Sequence, residues 1–121
     1  MTNKQFTAFT RQLRRKQDEL ILNKGYDYTQ GNPDRFYNFK FVARHLGLSP
    51  MQVWGVYWLK HVLAILTFIK TGRVKSERIE ERFHDEATYN LLGEALLQEQ
   101  KKVGRYAKTR RKNKKKLRQS R

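Results

Sequence analysis

Cysteine is absent from this chain, so it carries no disulfide framework, thiolate nucleophile or zinc ribbon. Acid is scarce: 11 Asp and Glu stand against 27 Lys and Arg over 121 residues, leaving a formal charge of +16. Proline occurs only twice, as Pro33 and Pro50, each beside a residue able to cap a helix. No stretch alternates apolar and polar residues as a half-buried strand would, and no internal repeat is present. Missing too are a serine–histidine–acid order, a P-loop and a dinucleotide fingerprint, so nucleophilic catalysis has no cue. At the N-terminus Thr, Gln and Arg interrupt the first apolar residues, unlike the core of a signal peptide. These absences together predict a cytoplasmic protein in a reducing compartment.

What is present is unevenly spread. Residues 101–121 hold twelve Lys or Arg and no acid, whereas residues 1–100 hold almost all of the apolar residues. The length allows one small domain. The prediction is an all-α, compact four-helix domain over residues 1–100 with a basic, flexible C-terminal extension over 101–121.

The longest apolar segment is Ser49–Gly72. Ser49 with Gln52 forms a capping box, Pro50 supplies a preset φ, and Gly72 can close the helix in the left-handed conformation. Apolar residues from Trp54 to Ile69 surround most of its circumference, as in a core helix or a membrane span. Lys60 and His61 at its midpoint favour the core. Thr2 with Gln5 caps a first helix expected to end near Asn23 and close at Gly25, leaving 24–32 as a loop. Asn32-Pro33-Asp34 is expected to open a second helix ending at Gly47, with Phe36, Phe39, Ala43 and Leu46 on its core face. Ser76 is expected to cap a fourth.

Three constellations carry chemistry. The first is cationic: Arg11, Arg14 and Arg15 on the first helix, and Lys101, Lys102, Arg105, Lys108, Arg110, Arg111, Lys112, Lys114, Lys115, Lys116 and Arg118 in the extension. Blocks of like charge stay unfolded until an anion neutralises them, and each phosphate so neutralised releases counterions. DNA or RNA is the expected partner, against the plainer readings of a solubility tail or of an acidic protein or membrane surface. Tyr106 alone in the extension could stack on a base.

The second is acidic. Glu77, Glu81 and Asp85 fall at i, i+4 and i+8, which on one helix face would suit an oxygen-preferring cation such as Mg²⁺. Arg78 and Arg82 interleave with them, so a solvated, self-paired face explains the same pattern. The third is polar: Lys24, Asp27, Asp34 and Asn38 precede Lys60 and His61, which are candidates for phosphate contact or catalysis. A core histidine and a lysine reaching to water are the structural alternatives.

Residues 24–97 resemble the phage and bacterial family called nucleotide modification associated domain 1. The resemblance rests on Lys24…Asp27-Tyr28, Asp34…Asn38-Phe39, Leu46-Gly47…Pro50, Val53-Trp54, Val56-Tyr57, Leu59-Lys60-His61, Thr71-Gly72, Ser76-Glu77…Ile79-Glu80…Arg82, and Asp85…Tyr89. It implies an all-helical relative of the all-α nucleotide pyrophosphohydrolases, with Asp27, Asn38, Lys60, His61, Glu77, Arg82 and Asp85 on one site. Where those enzymes carry a Glu-x-x-Glu pair, this chain has Asp34 and Asn38. With fewer carboxylates a metal is held more weakly, which disfavours hydrolysis and leaves nucleotide or nucleic-acid binding.

Three functions are therefore expected in order. The first is a nucleic-acid-binding accessory protein, in the host cytoplasm if phage-encoded. The second is a Mg²⁺-dependent nucleoside triphosphate pyrophosphohydrolase. The third is a small inhibitor or assembly factor acting on a larger complex. No membrane partner is expected, and a homodimer would be sought at Tyr37 and Phe41.

Overall fold

Local signals set most helix ends in the computed structural model, which describes residues 1–120; Arg121 and the Tyr106 side chain lie outside the described residues. Among these residues there are four helices and no strand: α1 (Asn3–Thr29), α2 (Tyr37–Leu46), α3 (Pro50–Thr71) and α4 (Ile79–Gln119). The all-α expectation holds. Both capping boxes form, Thr2 with Gln5 and Ser49 with Gln52, and Gly47 and Gly72 end α2 and α3 in the left-handed conformation. Each local device satisfies backbone groups that the helix itself cannot.

Four expectations about where helices begin and end were overturned. α1 runs on through the supposed loop to Thr29, because Gly25 marks a close approach and not a stop: a Cβ there would lie 3.3 Å from Arg35 Nε. α2 starts at Tyr37 rather than after Asn32, since the Asn32 side chain accepts from the Asp34 amide and Asp34 from that of Phe36, holding the segment in turns. α4 starts at Ile79 with Arg78 at its cap, and the Ser76 hydroxyl instead accepts from Arg82 at 2.8 Å. The basic extension is not an unfolded tail: residues 101–119 continue α4 as helix. Lys and Arg favour helix, cations near a helix C-terminus oppose its dipole, and no proline interrupts the run.

The core is small and lies where α2, α3 and α4 meet: Phe36, Phe39, Ala43, Val53 and Leu96, with Trp54, Tyr57, Tyr89 and Leu92 packed around it. Leu46, expected in this core, is exposed. α3 runs antiparallel to α4, as the pairs Trp54–Tyr89, Trp58–Asn90 and His61–Asp85 show. Trp54 donates to the Tyr89 carbonyl at 2.7 Å and lies flat where Gly93 leaves room. α3 is long and apolar enough to cross a membrane. Only one of its faces is packed, and Val56, Leu59, Leu63, Leu66 and Ile69 are exposed, so it is not the all-round core helix its composition predicts. α1 packs on α2 and α4, and Gln17 ties it to α4 by donating to the His84 carbonyl and to Thr88.

The two helical glycines of α4 should behave oppositely. Gly93→Ala puts a methyl group into the Trp54 indole and should cost about 1–3 kcal/mol by urea unfolding. Gly104→Ala, which meets nothing within 4 Å, should gain up to about 1 kcal/mol and add helicity by circular dichroism.

Candidate functional site

Beside the core, the four helices and the link before α4 enclose a cavity of about 250 Å³. Lys24 and Tyr28 enter it from α1, one helical turn apart. Arg35 and Asn38 come from the turn before α2 and its first turn, and Tyr57, Lys60 and His61 from α3. Glu77 precedes α4, and Arg82, Asp85 and Tyr89 lie on it.

Asp85 ties these walls together. One carboxylate oxygen accepts from Lys24 Nζ at 3.2 Å, and the other lies 3.8 Å from His61 Nδ1, beyond hydrogen-bond reach. Glu77 lies 3.6 Å from Arg82 Nε. Three side-chain atoms here are buried without a hydrogen-bond partner: Asn38 Oδ1, His61 Nδ1 and Arg82 Nε. Lys24, Arg35, Lys60 and Arg82 set four permanent positive charges against the two carboxylates of Glu77 and Asp85.

Proton affinities follow from this arrangement. Burial pushes the His61 pKa below its ordinary value, Asp85 opposes the shift, and Lys60, Arg82 and Lys24 reinforce it. The distance to Asp85 suggests a charged pair, but desolvation prevails and His61 rests neutral. Burial also raises the Tyr89 phenol to about 12, helped by Tyr28, Tyr57 and Asp85, so it remains a donor. For Lys24, burial works against the charge, yet the hydrogen bond and attraction of Asp85 outweigh it and leave its pKa raised. The resulting chamber has surplus positive charge, unpaired polar atoms and aromatic walls.

Of the residues expected here, Lys24, Asn38, Lys60, His61, Glu77, Arg82 and Asp85 line the cavity together. Asp27 does not. With 24–29 helical, Lys24 and Tyr28 share the inward face and Asp27 is exposed outside it. Glu81 lies outside the lining, Asp34 is bound by Lys40 at 2.7 Å, and Glu77 precedes the helix meant to align it with Glu81 and Asp85. The residues present therefore do not fit a Mg²⁺ site, and among the described residues no three His, Asp or Glu side chains group to hold a metal. Arg35 escaped sequence reasoning, its one signal being its place between the Asn32-Pro33-Asp34 turn and Phe36.

The cationic residues lie apart from this chamber. Arg11, Arg14 and Arg15 are exposed on the first half of α1, and every described side chain from Lys101 to Ser120 is exposed on α4. Lys101, Arg105, Lys108, Lys112 and Lys115 repeat at intervals of three and four, forming one basic stripe. Tyr37 and Phe41, the aromatic pair suggested for self-association, lie tilted at 36° to each other with 6.0 Å between ring centres.

No family model, curated protein or solved structure matches this chain.

A depressed native pKa gives His61 a definite pH signature. Between the native value and the unfolded value of about 6.5 the unfolded chain binds more protons. The His61 contribution is therefore present above that window and lost as pH falls through it. Urea midpoints should fall from pH 7 to pH 5, and His61→Gln should show a shallower fall than wild type.

Proposed function

We propose that this protein binds nucleic acid through the basic length of α4, with a phosphate-bearing nucleotide as the ligand of the chamber. The first part rests on the exposed helical stripe from Lys101 to Lys115, which spans about 21 Å at 1.5 Å per residue. A rod of this kind can follow a phosphate backbone, and a major groove is wide enough to admit a helix. Arg11, Arg14 and Arg15 form a separate basic patch on the first half of α1, toward the opposite end of α4, where Gln17 meets His84. DNA and RNA both satisfy this chemistry.

The nucleotide reading is favoured by a separate observation: Asn38 Oδ1, His61 Nδ1 and Arg82 Nε are buried with no hydrogen bond made, Arg82 having only the longer ion pair to Glu77, in a chamber with surplus positive charge. Buried polar atoms left unpaired are costly, and an anionic ligand offering acceptors and a donor relieves that cost. Tyr57, Tyr89 and Phe39 supply tilted aromatic faces against which a base can lie. The resemblance of residues 24–97 to nucleotide modification associated domain 1 points the same way and implies a cytoplasmic, phage-type setting. Binding is preferred to Mg²⁺-dependent hydrolysis because Asp85 is held by Lys24, and Glu77 stands beside Arg82.

Deleting residues 101–121 separates the two parts. It should weaken nucleic-acid binding and flatten its salt dependence, each lost phosphate contact removing about 0.7–0.9 from the slope of log K against log salt. Affinity that survives the deletion at raised salt overturns the role of α4. Arg82→Gln should weaken pyrophosphate or nucleotide binding by calorimetry roughly 10- to 100-fold, leaving duplex binding unchanged. Equal affinity in the variant overturns the chamber reading.

A further inference from the structure

The face of α3 turned away from α2 and α4 is apolar and uncovered: Val56 is 61% exposed, Leu59 52%, Leu63 60% and Leu66 51%. These four stand at intervals of three, four and three, the spacing of the inner positions of a coiled coil. Solitary exposed apolar residues are ordinary, but a continuous seam is an interaction surface. We propose that this seam pairs, antiparallel, with the same seam of a second copy of the chain.

Two features select that occupant and that direction. The seam is nearly symmetric about His61. Reversing it sets Val56 on the partner's Leu66 and Leu59 on the partner's Leu63, and it places Lys70, the next inner position, against the partner's uncharged Gln52. A parallel pair would set Lys70 on its own copy, a like-charge contact that costs stability. The second feature is the basic length of α4. Because α3 runs antiparallel to α4, that length leaves the bundle at the end where α3 begins. Antiparallel α3 helices carry the two lengths, each rich in unopposed cations, to opposite ends of the dimer. Parallel ones would bring them side by side. An acidic protein or a membrane gains nothing from this symmetry, and α3 itself contains no acid and only Lys60 and Lys70 as full charges.

The chain's lack of cysteine makes the test direct. Nucleic-acid-free full-length protein at micromolar concentration should sediment at twice its 14.6 kDa mass. Leu63→Glu should raise the dimer dissociation constant roughly 100-fold by burying an unpaired charge, with helicity by circular dichroism unchanged. Under mild oxidation a Leu59→Cys chain should cross-link to a Leu63→Cys chain. Val56→Cys should not link to itself, since the reversed seam sets the two copies of that residue about 15 Å apart along the axis. A monomer at 100 micromolar (about a hundredfold above the working range), or a wild-type monomer that binds neutral phosphatidylcholine vesicles, overturns the proposal. Self-linking of Val56→Cys overturns the antiparallel arrangement.

Discussion

The Asp85 carboxylate is the point at which α1 is tied to the helices of the core. It stands on α4, accepts from Lys24 on α1 and faces His61 on α3. α1 buries only Gly25 and Thr29, so apolar packing holds it weakly. Polar ties do for α1 what Phe39 and Leu96 do for the other three helices: Lys24 to Asp85, and Gln17 to the His84 carbonyl and Thr88. A partly buried carboxylate is costly unless matched, and here the matching group is also a wall of the chamber. Stability and the candidate site thus share one interaction.

The same electrostatics decide what the chamber favours. Four permanent cations surround two carboxylates that are already engaged, so the net field invites an anion and repels a free metal ion. Neutral His61 and protonated Tyr89 add polar groups without adding charge. A second ion cluster, Lys40 between Asp34 and Glu99, closes α2 on α4 away from the cavity and accounts for Asp34, an acid that sequence alone placed among the candidates.

Sequence legibility followed the range of the interaction. The Ser49 and Thr2 capping boxes and the Gly47 and Gly72 stops were readable because each device is complete within a few residues. Gly25 and Ser76 carried the same local signals and were misread: Gly25 marks a close approach of Arg35 from another segment, and the Ser76 hydroxyl accepts from the Arg82 side chain and caps no helix. The convergence of Lys24, Asn38, Lys60, His61, Glu77, Arg82 and Asp85 came from resemblance, not from spacing. Resemblance also placed Asp27 there and erred, because 24–29 is helical and turns Asp27 outward; spacing erred on the Glu77–Glu81–Asp85 stripe, because α4 begins only at Ile79. The extent of apolar residues around α3 was legible; that only one face would be covered was not.

Since α4 is one uninterrupted helix, it fixes not only the distance between the chamber and the basic stripe but also their angular phase. Asp85 and Lys101 are sixteen residues apart, about 24 Å along the axis, and at 3.6 residues per turn the two groups point to nearly opposite sides. A stiff duplex lying along the stripe cannot also enter the chamber. A polymer on one side and a small ligand on the other would occupy the molecule independently, each blind to the other except through the helix they share.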